Sequence, residues 1–172
     1  MSVPASKRKV AKLEYVHTAH VLCAVLSRWA NRMPKRYAFR ELNPLCAHAD
    51  LVSFHVEAAN HVYVKDKKTF DLRRYHLLEA ESELIHVESK LATIYEIINE
   101  DYNRSVKDWC KGALEGKQIT KPNEPKMAQF ANFADLILRE RKLIAGVKRS
   151  DSRHYQNKVK QDAADNADLN QP

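Results

Sequence analysis

From Leu77 onward, apolar side chains return in steps of three and four: Leu77, Ala80, Leu84, Val87, Leu91, Ile94 and Ile98. An α-helix turns once every ~3.6 residues, so this spacing lines one face with apolar groups and predicts a helix with a coiled-coil-like seam. Glu79, Glu81, Glu83, Glu88, Lys90, Glu96 and Glu100 fall between the seam positions and predict an acidic outer face turned to solvent. The same steps recur upstream in Leu42, Leu45, Ala49, Val52, Val56, Ala59 and Tyr63. Pro44 falls in the first turn there, where its missing N–H removes no helical bond. A looser face, Leu13, Val16, Cys23, Leu26, Ala30 and Met33, is interrupted by His20. Beyond Pro122 and Pro125, a fourth amphipathic stretch runs through Met127, Phe130, Ala134, Ile137, Ile144 and Val147.

These stripes predict helices over about 9–33, 40–64, 69–112 and 125–149. The first two connections are brief, and short connections make sequential helices antiparallel neighbours. The predicted fold is therefore all-α, an up-down-up-down four-helix bundle. The third connection, 113–124, is polar and proline-containing and long for such a bundle. Together with the end of the third helix, from Asp101 to Pro125, it reads as an insertion between helices 3 and 4. Residues 1–8 read as a flexible basic N-terminus and 9–150 as the bundle. Residues 151–172 carry few large apolar groups, too few to offset the entropy of ordering them, and are expected to form a disordered tail.

Composition narrows the alternatives. The 172 residues suffice for one domain with a real core, and only three glycines argue against sheets built on tight hairpins. Cys23, Cys46 and Cys110 form neither an even set nor a C-x-x-C pair, which fits a reducing compartment better than a disulfide framework or a zinc knuckle. The stretch Met1 to Lys12 lacks the apolar core of a secretory leader, and no apolar run approaches the length of a membrane span. A cytoplasmic location and no membrane contact are expected.

Charge changes the picture most. The net charge is +7, and between Arg28 and Arg40 lie Arg28, Arg32, Lys35, Arg36 and Arg40 with no acidic residue among them, around Pro34. Like charges so close repel unless an anion neutralises them, so this corner points to a phosphate backbone or an acidic protein surface. Trp29, Tyr37 and Phe39 interleave with the cations, a mixture that can stack bases while gripping phosphates. Aromatic residues at helix ends also serve as core or subunit-interface anchors. That is the expected role of Trp29 and Phe39, with the cations facing solvent.

Catalytic and metal chemistry find less support. Glu83-Leu84-Ile85-His86 has the Glu-x-x-His spacing of a di-iron bundle. Such a site needs a second Glu-x-x-His and two more inward carboxylates, and Leu84 on the seam turns Glu83 away from the interior. His17, His20, His48 and His55 fit surface or half-buried positions better than a ligand set, so neither a metal nor a cofactor is expected. There is no glycine-rich phosphate loop, and Cys23 in an apolar stretch reads as a packed thiol. Arg149 and His154 have the spacing of the Arg-His pair in ribonucleases of the HEPN type, where an arginine stabilises developing charge and a histidine moves a proton. Here the pair straddles the expected end of the fourth helix, and Ser150 stands where those enzymes often carry Asn, Asp or His. The expected role is non-catalytic.

Four short motifs occur in a telling order: a helix closing on Met33-Pro34-Lys35-Arg36-Tyr37-Ala38-Phe39, a helix closing on Val56-Glu57-Ala58-Ala59-Asn60, a connection Lys65-Asp66-Lys67-Lys68, and a helix opening Leu77-Leu78-Glu79-Ala80 with Leu84 and Leu91. Their order and spacing resemble the accessory variability determinant (Avd) proteins of diversity-generating retroelements, over roughly Lys12 to Ile98 and again from Met127 to Arg149. The related four-helix proteins encoded in ribosomal RNA intervening sequences share much of the pattern. The resemblance implies a four-helix protomer in a homopentameric barrel, bound to the element's reverse transcriptase and template-region RNA as a non-catalytic partner. By position, the implied nucleic-acid surface comprises Arg28, Arg32, Lys35, Arg36 and Arg40, with Arg139, Arg141, Lys142, Lys148 and Arg149 on the last helix. Family members often close with Gly-Gly-Trp-hydrophobic-Lys, where this chain has Ala145-Gly146-Val147-Lys148 and no tryptophan.

Overall fold

Helix formation follows the apolar stripes, and the ends of α3 have local causes. The computed structural model describes the backbone of residues 5–125 and 128–169, and the side chains of residues 13–125 and 128–164. Among the described residues there are four α-helices and no strand: α1 (Ala5–Ala30), α2 (Asn43–His61), α3 (Lys67–Leu114) and α4 (Ala128–Leu169). Helix α3 opens on a capping box. The Asp66 carboxylate accepts from Thr69 N–H at 2.8 Å, and the Thr69 hydroxyl accepts from Asp66 N–H at 3.0 Å, which satisfies two donors left free at a helix start. Past its end, Gly116 takes φ 73°, a left-handed conformation that only glycine adopts without strain.

Opposing residues pair in descending order along neighbouring helices. Tyr15, His20 and Cys23 of α1 bond Asn60, Glu57 and Asp50 of α2. Glu41, at the approach to α2, bonds Lys90, while His48 and His55 of α2 meet Glu83 and His76 of α3. Phe70, Glu81, Glu88 and Tyr95 of α3 meet Tyr155, Lys148, Arg141 and Phe130 of α4. The predicted acidic face of α3 is therefore not simply solvated: Glu81, Glu83, Glu88 and Lys90 tie it to its neighbours.

The core joins all four helices. Leu77, Ala80, Leu84, Val87, Leu91 and Ile94 are buried as the seam of α3 predicts, and so are Leu42 and, on α2, Leu45, Ala49, Val52, Val56 and Ala59. Three expectations need correction. Tyr63 lies beyond the end of α2 and is exposed. On α1 the fully buried apolar positions are Tyr15, Ala19, Leu22, Leu26 and Trp29; of the predicted face Leu26 is among them, Val16, Cys23, Ala30 and Met33 pack half-buried along its edge, and Leu13 is 60% exposed. Apolar residues flank both candidate faces of α1, and the tyrosine and tryptophan rings, which offer most apolar area, decide which one turns inward. On α4, Phe133, Ile137 and Ile144 are buried while Ala134 is exposed; Met127 lies outside the described residues.

The termini differ from expectation too. Residues 151–169 are helix, not a disordered tail, because Asp151 pairs with Arg73, Tyr155 stacks on Phe70 at 4.6 Å, and the Lys158 ammonium donates to the Lys65 carbonyl. These few anchors replace the missing apolar stripe. At the other end, Ala5 to Arg8 belong to α1; residues 1–4 and 170–172 lie outside the described residues. The connection between α3 and α4 is non-helical over 115–125 and is pinned by the Trp109 indole, which donates to the Ile119 carbonyl at 3.0 Å.

Candidate nucleic-acid interface

The basic corner is built by an interrupted helix. Helix α1 stops at Ala30, and Pro34 sits in an extended conformation (φ −55°, ψ 136°), after which a 3-10 turn (Lys35–Tyr37) and a single π turn (Ala38–Leu42) lead into α2. A proline cannot donate to the preceding turn and biases the residue before it away from the helical region, so the chain must break here. Tyr37 anchors the turn. Its ring is buried and its hydroxyl donates to Asp101 at 2.5 Å, tying the corner to α3. Burial, with the Asp101 hydrogen bond second, holds the Tyr37 phenol above its ordinary range.

The five predicted cations of the corner are all exposed. Arg36 is held in place: it donates to the Tyr37 hydroxyl at 2.6 Å, lies 3.0 Å from the Asp101 carboxylate, and sits over the Tyr37 ring. The Arg28 side chain donates to the Ala24 carbonyl of its own helix. Among the described residues, Arg28, Arg32, Lys35 and Arg40 form no ion pair with any carboxylate. The aromatics divide. Trp29 is a core residue, packed edge-on against Phe130 and Phe133 with ring centroids 5.4 and 5.2 Å away, whereas Phe39 is 85% exposed and belongs to no core. A cavity of about 510 Å³ opens between the corner and the α3–α4 connection, walled by Trp29, Arg32, Arg36, Tyr37, Tyr102 and Phe130.

The cations expected on the last helix do not form one uncompensated surface. Arg139 pairs with Glu14 at 2.8 Å, Arg141 with Glu88 at 2.8 Å and Lys148 with Glu81 at 2.7 Å. Lys142 and Arg149 are exposed and form no ion pair among the described residues. The sequence pattern missed this compensation because the acidic partners lie on other helices.

The candidate cysteine and histidine chemistry is taken up largely in contacts between helices. Cys23 donates to Asp50 at 2.8 Å, and burial followed by that carboxylate pushes its thiol up to about 11, far from a nucleophile's range. His48 lies 2.6 Å from Glu83 and stacks on His86, but among the described residues no group of three or more His, Cys, Asp or Glu is disposed to hold a metal ion. Arg149 and His154 share one continuous helix, where a step of five positions sets them roughly 140° apart around the axis, and both are exposed. The residue missed altogether is Glu140. It is fully buried, neither carboxylate oxygen has a hydrogen-bond partner, and burial pushes its carboxyl up to about 8 against a smaller lowering by Arg139. Its signal was present: Phe133, Ile137, Glu140 and Ile144 are spaced by four, three and four.

No protein-family model, no curated protein and no solved structure matches this chain. Among the described residues, no helix is long and apolar enough to cross a membrane.

Proposed function

We propose that this protein is a non-catalytic RNA-binding accessory factor, with the corner around Pro34 as its principal contact for a phosphate backbone. One observation carries the reading: Arg28 at the end of α1 and Arg32, Lys35 and Arg40 in the connection anchored by Tyr37 and Asp101 are exposed and without carboxylate partners among the described residues. Cations of one sign held together on an anchored backbone release condensed counterions on meeting phosphates. The resemblance to Avd proteins supplies the context: an up-down-up-down bundle, supported by the descending pairings between neighbouring helices, with 115–125 as an inserted connection, assembled as a homopentamer in the cytoplasm on a reverse transcriptase and its template RNA. In that setting the protein positions RNA and polymerase. The ion pairs of Arg139, Arg141 and Lys148 concentrate the RNA contact at the corner and leave those three residues a bundle-stabilising role.

The test is charge reversal of Arg32, Lys35 and Arg40 together. RNA affinity is expected to fall by at least tenfold and the slope of log K against log salt to flatten, with helicity unchanged. Unaltered affinity would remove the corner from the interface. The exposure of both Arg149 and His154 on α4 admits one second reading, a HEPN-type ribonuclease acting across a dimer. That reading demands RNA cleavage by purified protein, abolished by His154→Ala.

A further inference from the structure

At the opposite end of α2 from the basic corner, α3 and α4 enclose a cavity of about 480 Å³ with a different design. Its apolar lining is Phe70, Leu77 and Ala145. Its charged lining divides in two. Lys148 and Asp151 are already paired, with Glu81 and Arg73, whereas Arg74, Arg149 and Arg153 form no ion pair among the described residues. Arg149 and Arg153 are one helical turn apart on α4, an arrangement in which like charges repel, and Arg74 of α3 lines the same cavity. Arg74, Arg149 and Arg153 thus rim one apolar cavity without a carboxylate among their partners; the Arg149 Nε donates to the Ala145 carbonyl of its own helix at 3.2 Å, and the forked donors of a guanidinium match phosphate oxygens.

We infer that this cavity between the start of α3 and the middle of α4 binds a nucleoside phosphate, its phosphate held by Arg74, Arg149 and Arg153 and its base laid on the half-buried apolar lining of Phe70 and Ala145. Inorganic phosphate would leave that apolar surface uncovered, and an uncharged ring would leave three cations unneutralised; a nucleotide satisfies both. The volume falls within the usual range for small-ligand sites. The same chemistry is offered by a free mononucleotide and by one residue of an RNA strand. This site stands apart from the corner, since the length of α2 separates them, and it gives Arg149 a use distinct from that of the other cations on its helix.

The experiment is calorimetric titration of the whole protein with AMP, adenosine, inorganic phosphate and a five-nucleotide single-stranded RNA, for the wild type, the double variant Arg149→Ala/Arg153→Ala, and Arg74→Ala, with circular dichroism to confirm equal helicity. Saturable binding of AMP or of the oligonucleotide is expected, weakened at least tenfold in the double variant and several-fold in Arg74→Ala, with adenosine and inorganic phosphate each binding at least tenfold more weakly than AMP. Binding of AMP identifies a free nucleotide as the source; binding of the oligonucleotide alone identifies the RNA strand. AMP affinity is expected to be unchanged by charge reversal at Arg32, Lys35 and Arg40, which separates this site from the corner. Absence of saturation by either nucleotide probe, equal affinity for inorganic phosphate, or unchanged affinity in the double variant overturns the inference.

Discussion

The Arg73 guanidinium, on the second turn of α3, donates to the Asp151 carboxylate on α4 at 2.6 Å, and both side chains are mostly buried. The same guanidinium donates to the Ala59 and Val62 carbonyls, so one side chain caps the C-terminus of α2 and docks the second half of α4. The Tyr15 phenol beside it is held above its ordinary range chiefly by burial.

Removing one partner of such a pair leaves the other charge buried and unmatched. Arg73→Ala is expected to destabilise the protein by about 3 kcal/mol, read as a lower midpoint in urea unfolding. Limited proteolysis sharpens the test: cleavage between Ser150 and Lys158 is expected to be faster in Asp151→Ala than in the wild type.

Glu140 makes stability fall as pH rises. Its carboxyl titrates ordinarily at 4.5 and in the folded protein at about 8. Between those values the folded state keeps a proton that the unfolded state has released, so its contribution is fully present below about 4.5 and is lost as pH climbs through about 8. Glu140→Leu is expected to remove this slope and to stabilise the protein at pH 8 by on the order of 4 kcal/mol, measured by urea titrations from about pH 5 to 9. Equal slopes in variant and wild type would show that Glu140 does not hold its proton.

Two neighbouring arginines should behave differently. Arg36 is fastened to Tyr37 and Asp101, whereas Arg32 has no carboxylate partner among the described residues. Arg36→Ala is therefore expected to lower the thermal midpoint by a few degrees, at about 1 kcal/mol, along with RNA affinity. Arg32→Ala should weaken RNA binding with the midpoint unmoved. Differential scanning calorimetry beside filter binding distinguishes the two.

The seam of α3 and the end of α2 offer a control pair. Leu84 is fully buried, and Leu84→Ala should cost about 2–5 kcal/mol. Tyr63 belongs to the stripe predicted for α2 yet is 76% exposed, so Tyr63→Ala should change stability by no more than about 0.5 kcal/mol. Urea unfolding of the two variants side by side checks both values.

What was legible in the sequence was what periodicity and local chemistry dictate. The seams of α2 and α3, the break at Pro34 and the exposure of the corner cations all follow from spacing and from proline's missing N–H, each of which acts within a turn or two. The tertiary structure decided the rest, because it depends on residues far apart in the chain. Which face of α1 turns inward was set by where Tyr15 and Trp29 could be packed. The continuation of α4 beyond Ser150 was set by Arg73 and Phe70, far back in the chain on α3, and the neutralisation of Arg139, Arg141 and Lys148 by glutamates on other helices. Glu140 shows the boundary most plainly. Its spacing placed it on the α4 seam, but only the packed helices exclude the water that would otherwise have solvated its charge.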